Sequence, residues 1–424
     1  MGLRLEDIAK AFSPAKEIDD PKLFVGRYPE IMGILEFLSK PGAFLVIFGP
    51  RGVGKSSVAL QLKRIAEGDL TLVNAMKIDE RYIPRNLNWC TVYYRIDSFV
   101  STVENLISRI SDDFSSKFFP KEKGLNIKRR VVKKGYDMEG GLSLVRASRH
   151  QSEEEVYEKV SERDIISKFR SLLSRVRART HSQCKSGILI VIDEFDLLND
   201  KRGFASLVKA ISSEGFIKFV VVGIAADVSE LMDDHGSIGR LIHPLKIPPM
   251  IEDDLYAIIK KAEYLVKRQI TYKEPAARKI VHHSEGFPYF THLLGMESMK
   301  FVFDQRSKIV TVDVVDSILR KLSEGNLPTL YEEMYNNAVK HSEQREFLLI
   351  LFAEEPDEVI RTEKIYRIAK ESGISNPSQL MQALTAPLGT NRPPVLVKVR
   401  DREYRFSDPV FKVYAKLRGF KFSN

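Results

Sequence analysis

The sequence predicts an α/β fold: a three-layer core around a parallel sheet, followed by a helical region and a small C-terminal domain of three helices and a hairpin. Three observations predict it. Short apolar runs, Ala43 to Phe48, Ile188 to Ile192 and Phe219 to Gly223, and the β-branched and aromatic run Trp89 to Arg95 alternate with helical patterns, as the buried strands of a parallel sheet do. The first run leads straight into Gly49-Pro50-Arg51-Gly52-Val53-Gly54-Lys55-Ser56-Ser57, which fits G-x-x-x-x-G-K-[ST] between a strand and a helix. After Pro248-Pro249 the periodicity is helical, and from Glu343 onward three helices and two short strands follow one another.

Length and charge bound the partners. The 424 residues are enough for two or three domains with real cores. Of the net charge of +9, residues 121–150 and 392–422 each hold nine Lys/Arg against three Asp/Glu, so these two stretches carry +12 and the remainder is slightly acidic. Such stretches attract nucleic acid, acidic protein or anionic membrane, or are solvated charge. The two cysteines, Cys90 and Cys184, lie in unrelated contexts without metal-ligand spacing, which suits a reducing compartment. No apolar run approaches the ~18 residues of a membrane span, and Met1 to Glu6 carries neither a secretory core nor the Ser/Thr of a myristoylation site. The expectation is a cytoplasmic protein without a membrane partner.

The loop Gly49 to Ser57 is a phosphate cradle. Its glycines let backbone N–H groups converge on an anion, and the helix opening near Ser56 adds its positive dipole end. Lys55 would reach the β- and γ-phosphates of ATP, and the Ser56 hydroxyl would ligate Mg2+. Ahead of the loop, Leu23-Phe24-Val25-Gly26-Arg27 runs into a helical pattern at Ile31, Ile34, Leu35 and Leu38. A hydrophobic-hydrophobic-Gly-Arg box upstream of such a loop resembles AAA+ ATPases of the origin-recognition type and the related STAND NTPases. The resemblance implies that Phe24, Val25 and Arg27 contact the nucleotide.

Beyond the strand Trp89 to Arg95 comes a helix near Val100 to Ile110, then a basic insertion at about 120–155. Its strand-like segments Ile127 to Lys134 and Leu142 to Ala147 predict a β-hairpin before a long helix, Val156 to Arg179. The strand Ile188 to Ile192 closes in Asp193-Glu194, as in a Walker B box, where Asp193 would hold Mg2+ or its water and Glu194 would polarise the attacking water. After Phe219 to Gly223 the chain departs from the AAA+ pattern. Ile224-Ala225-Ala226 stand where a first sensor is expected, and Asp227 is the first polar side chain. Arg240, just before the short strand His243 to Ile247, stands where these families place the arginine finger that completes a neighbouring subunit's site, which implies self-association.

Helical patterns at Ile251 to Arg268, Pro275 to His283, Tyr289 to Phe303 and Val312 to Leu322 resemble the helical lid. Aligned on Gly286, Tyr289 replaces the arginine that origin-type initiators use as second sensor. Gly286-Phe287-Pro288 instead resembles the STAND signature, which implies that Pro288 packs on adenine; its alternative is an ordinary first-turn helix proline. His292, one turn on, is a further sensor candidate beside Asp227. The C-terminal helices Glu343 to Glu354, Thr362 to Ser372 and Pro377 to Ala386, the strands Val395 to Val399 and Tyr404 to Phe406, and a helix from Pro409 predict a winged helix. The expected domains are a lead 1–22, an AAA+ core 23–247, a lid 248–335 and a winged-helix domain 336–424.

Three functions remain open at this point. One is an ATP-driven STAND-like switch acting on a partner protein or nucleic acid, with host defence as one setting. Another is a DNA-binding initiator or transposition-type regulator that touches duplex backbone nonspecifically through wing and insertion. The third is a slowly hydrolysing scaffold. The helix Pro377 to Ala386 has no basic residue for groove reading, whereas Lys398, Arg400, Arg402 and Arg405 sit in the wing.

Overall fold

The computed structural model describes residues 2–14, 16–42, 44–119, 129–132, 155–158, 162–181, 186–212, 214–232, 238–325, 331–388 and 394–422. In chain order, the N-terminal half holds α1 (Leu5–Ala11), α2 (Tyr28–Ser39), β1 (Phe44–Gly49), α3 (Lys55–Ala66), α4 (Thr71–Ala75), β2 (Trp89–Arg95), α5 (Val103–Phe118), β3 (Arg129–Val132), β4 (Glu155–Glu158), α6 (Glu162–Thr180), β5 (Gly187–Asp193), α7 (Phe204–Ser212), β6 (Ile217–Ile224), α8 (Val228–Leu231) and β7 (Ile242–Lys246). Next come α9 (Glu252–Leu265), β8 (Thr271–Tyr272), α10 (Glu274–Ser284), α11 (Pro288–Asp304), β9 (Ile309–Val310), α12 (Val312–Ser323) and α13 (Glu332–Val339). The chain closes with α14 (Glu343–Glu354), β10 (Ile360–Arg361), α15 (Thr362–Glu371), α16 (Pro377–Leu384), β11 (Leu396–Arg400), β12 (Glu403–Phe406) and α17 (Pro409–Arg418).

Two compact units divide these elements, and the division does not follow chain order. Residues 1–32, 48–61 and 246–424 form one; residues 33–47 and 62–245 form the other. The second unit contains the α/β sheet, five strands in the order β2-β5-β6-β1-β7, with β2 parallel to β5 and β5 parallel to β6. Every residue of β1 and β5 is buried, as strands covered on both faces require. Helices α5, α6 and α7 pack on β2, β5 and β6, and Phe195 and Phe204 meet beneath the sheet with ring centroids 4.6 Å apart.

Burial in this unit includes one cation. Lys218 on β6 is 3% exposed, and its ammonium donates to the Phe37 carbonyl at 2.6 Å and to that of Lys40, at the C-terminal end of α2. The positive charge sits at the negative end of the helix dipole, over the rings of Phe37 and Trp89.

The first unit is helical. Helices α9, α10, α11 and α12 pack on one another, and α1 lies on α9 and α11, so the lead carries structure that its short sequence pattern did not announce. In the C-terminal segment α14, α15 and α16 pack mutually beside a three-stranded sheet, β10-β12-β11. This is the predicted winged helix with one unpredicted strand: Ile360 pairs with Tyr404 and Arg361 with Glu403.

The insertion differs from expectation. Val156 does not start the long helix; it lies in β4 and pairs with Val131 of β3, and the helix begins at Glu162. Val and Tyr are favourable strand residues, and their pairing with β3 places them in the ladder rather than in the helix. The other expected hairpin strand, Leu142 to Ala147, lies outside the described residues, as do Lys133 and Lys134.

Candidate functional site

Local backbone shape in the first unit accounts for the glycines of the loop. Gly49, Gly52 and Gly54 have φ of +151°, +76° and +95°, values that L side chains resist. A Cβ on Gly49 would lie 2.3 Å from the Ile247 carbonyl oxygen, and Ile247 donates its N–H to Phe48 at 2.7 Å. The loop therefore leaves its strand pressed against the chain that leaves β7. Lys55 opens α3, is 8% exposed, and donates from Nζ to the carbonyls of Gly49 at 3.1 Å and Pro50 at 2.7 Å. Ser56 follows it in the first turn. The hydroxyl of Ser57 is engaged elsewhere, accepting from the Ile18 N–H at 3.0 Å, while Gln61 donates to the carbonyls of Ile18 and Asp19.

Arg27 braces the loop. It follows Gly26, both at left-handed φ, and its guanidinium is buried. One terminal nitrogen donates to the Glu30 carboxylate at 2.9 Å and the Pro248 carbonyl at 2.8 Å; the other donates to the Val53 carbonyl at 2.7 Å. The residue thus ties the loop to the chain that opens the helical region. Phe24 is buried, and Val25 lines a narrow slot of about 10 Å³ with Ile18, Leu23, Ile258, Leu265 and His292.

The other lid residues are placed by packing. Pro288 is the first residue of α11, and Gly286 ahead of it has φ +84° and accepts from the Met250 N–H at 2.7 Å. His292 is half-buried against the lead: its Nδ1 accepts from the Ser13 N–H at 3.3 Å, its ring meets Phe12 edge-on, and burial lowers its pKa to about 4. At the crown of the loop, a Cβ on Gly52 would stand 2.7 Å from a methyl of Val410, at the start of α17. There Asp408 accepts from the Val410 N–H at 2.9 Å; burial raises its pKa, opposed by that hydrogen bond and the Arg51 charge.

Within the second unit, β5 ends in Asp193, which is 1% exposed. Its Oδ1 accepts from the Glu194 N–H at 2.9 Å, and Glu194 holds a left-handed φ of +58°. The Tyr93 hydroxyl donates to Asp193 Oδ2 at 2.6 Å. Arg95 stands 3.6 Å from that oxygen and 3.9 Å from Glu194 Oε1. Burial, then the Asp193 charge, raises the Tyr93 pKa, so the hydroxyl keeps its proton. Asp196 accepts from the Ile224 N–H at 2.9 Å, and a Cβ on Gly223 would stand 2.6 Å from a methyl of Leu231, while Ile224, the last residue of β6, is exposed and apolar. Asp227 caps α8, accepting from the N–H groups of Ser229 and Glu230. Arg240 is exposed in the turn before β7.

Sequence reasoning missed Tyr93, Arg95 and Asp196. The signal was the parallel pairing of β2 with β5, which sets Arg95 beside Asp193; no spacing in one strand reveals its partner.

Fold and loop together define an α/β protein of the P-loop architecture, with a helical region and a winged helix. No family model matches the chain, and no curated protein matches it. Solved structures do resemble it. A Drosophila ORC bound to DNA is 14% identical with TM-score 0.45, covering 99% of this chain and 92% of its own. The Aeropyrum pernix ORC2 protein, in ADPNP-ADP complexes, is 14% identical with TM-score 0.49 and 98% of each chain covered. The Thermotoga maritima RuvB Holliday junction branch migration motor is 13% identical with TM-score 0.43, covering 92% of this chain and 94% of its own. These neighbours include the origin-recognition group that the sequence motifs resemble. At such identities and scores they assign no activity to this chain, and the functional argument rests on its own residues.

Proposed function

We propose that this protein is an ATP-binding and ATP-hydrolysing switch of the AAA+/STAND-like kind that self-associates and acts on a partner protein or nucleic acid. The observation that carries the reading is the loop itself: three glycines in conformations reserved for them, ahead of a helix that starts at a buried lysine. Such a turn aims successive N–H groups at one point, the geometry that receives phosphate. Lys55, now bound to loop carbonyls, supplies the mobile positive charge for the terminal phosphates.

The Ser56 hydroxyl and the Asp193 carboxylate, one in each unit, are hard oxygens of the kind Mg2+ takes, and each is proposed as a ligand on the resemblance. When bound, Mg2+ would offset charge on the phosphates. Glu194, whose side chain is nearly half exposed beside buried Asp193, is the base that takes a proton from the attacking water. Arg240 is the residue offered to a neighbouring subunit. Arg27 supports the loop rather than the nucleotide, and Phe24, Val25 and Pro288 are retained as base contacts on resemblance alone.

Lys55→Ala should abolish binding of a fluorescent ATP analogue, whereas Glu194→Gln should bind it normally and lose turnover by 100-fold or more, on the order of a general base's contribution. Unchanged turnover in Glu194→Gln would remove it from the catalytic set. Arg240→Ala mixed with Lys55→Ala should recover part of the activity, each supplying what the other lacks; no recovery at any ratio argues against a shared site.

A second reading, nonspecific contact with duplex backbone, is favoured by the exposed wing cations Lys398, Arg400 and Arg402. It is tempered by their surroundings, because Lys398 pairs with Asp401 at 3.2 Å and Arg402 lies 3.8 Å from Glu363. If the wing grips DNA, reversing Lys398, Arg400, Arg402 and Arg405 should flatten the dependence of log affinity on log salt by about one unit per lost phosphate contact. Absence of any salt-dependent binding to ordinary duplex at low ionic strength would exclude this reading.

A further inference from the structure

Residues two apart on a strand share a face, so Tyr93 and Arg95 project to the same side of β2, and the parallel register sets them beside Val191 and Asp193 of β5. The phenol is long enough to pass Val191 and reach the next residue on that face, where it donates to Asp193 Oδ2 at 2.6 Å. With the Glu194 N–H on Oδ1, both oxygens of the carboxylate are held by the chain. The two hydrogen-bond donors are neutral, and Arg95 adds an ion pair to the same oxygen, Oδ2, at 3.6 Å.

We propose that Tyr93 is a positioning residue that fixes the rotamer of Asp193 and thereby sets the affinity of the site for a divalent cation. This rests on the ATPase reading given above. A carboxylate held at both oxygens has already lost the rotation that binding a cation would otherwise cost, and removing the hydroxyl returns that freedom. Loss of an outer hydrogen bond to a metal-binding carboxylate typically weakens metal affinity 10–100-fold.

The test is a Mg2+ titration of fluorescent ATP-analogue binding to the full chain. Tyr93→Phe should raise the Mg2+ midpoint about 10- to 100-fold while leaving nucleotide affinity in EDTA unchanged; a merely structural tyrosine would lower both or neither. In an Asp193→Asn background the same substitution should shift nothing further. If the wild type shows Mg2+-dependent binding and Tyr93→Phe has the same midpoint, the proposal is wrong and the ATPase reading stands. If the wild type shows no Mg2+-dependent binding, both fall. Should Tyr93→Phe not fold, 3-fluorotyrosine placed at position 93 decides: its fluorine resonance should move when Mg2+ is added to the nucleotide complex, and an unmoved resonance overturns the proposal.

Discussion

At the scale of single residues, Gly52 joins two constraints that are usually separate. Its φ of +76° excludes a side chain on conformational grounds, and the Val410 methyl excludes one on steric grounds. Gly52→Ala should therefore lose about 1–2 kcal/mol to the left-handed backbone and more to displacement of Val410. A double-mutant cycle separates them. Adding Val410→Ala to Gly52→Ala should recover the steric part in a denaturation midpoint and leave the backbone part; strictly additive losses would mean that the two residues do not press on each other.

Lys218 gives the corresponding prediction at the scale of an element. Burial lowers its pKa to about 8, against an ordinary 10.5. Between those values the unfolded chain binds more protons than the folded one, so stability should rise as pH goes from about 8 toward 10, by at most about 1.4 kcal/mol per unit. Beyond 10 the buried tyrosines, Tyr93 and Tyr335 among them, act in the opposite sense because their raised pKa values favour the folded state only while they keep their protons. Lys218→Met should remove the rise, as chemical denaturation at pH 7.5, 8.5 and 9.5 would show, and leave the decline above pH 10 unchanged. A wild type with a flat profile over that range would place the ammonium in contact with water.

Elements were legible in the sequence to the extent that they follow local period. The four strand-like runs became β1, β2, β5 and β6, the lid helices α9 to α12 fell within a few residues of their patterns, and the loop was plain from its glycines and lysine. What escaped was pairing at a distance. Lys218 reaches carbonyls near residue 40, Tyr93 reaches Asp193, and Arg27 reaches Val53. Each contact depends on which strand or turn lies alongside, and a single chain of letters does not state neighbours. For the same reason the sequence did not show that His292 accepts from the Ser13 N–H or that Asp227 caps a helix.

For the whole molecule, acid is the informative condition. His283, beside Phe420, and His292, beneath Phe12, both have pKa values lowered to about 4, burial being the largest cause in each. A histidine held neutral stabilises the fold fully above its unfolded value near 6.5, and that contribution is lost as pH falls toward 4. Both lie in the unit built from residues 1–32, 48–61 and 246–424. Melting curves from pH 7 to pH 4 should therefore show this unit losing stability, and His292→Phe should flatten its share of the slope. Equal slopes in wild type and variant would mean that the imidazole titrates normally.

That same grouping of segments has a consequence for how the protein is made. Gly52 leaves the ribosome roughly 350 positions ahead of Val410, the residue against its crown. At about 5–20 residues per second the wait is on the order of 20–70 s. Over that interval the loop exists without α17, the helix that later abuts it, and the unit to which it belongs stays incomplete. A nascent chain arrested before residue 409 should accordingly hold its phosphate loop open to protease, and one in which α17 has emerged should protect it.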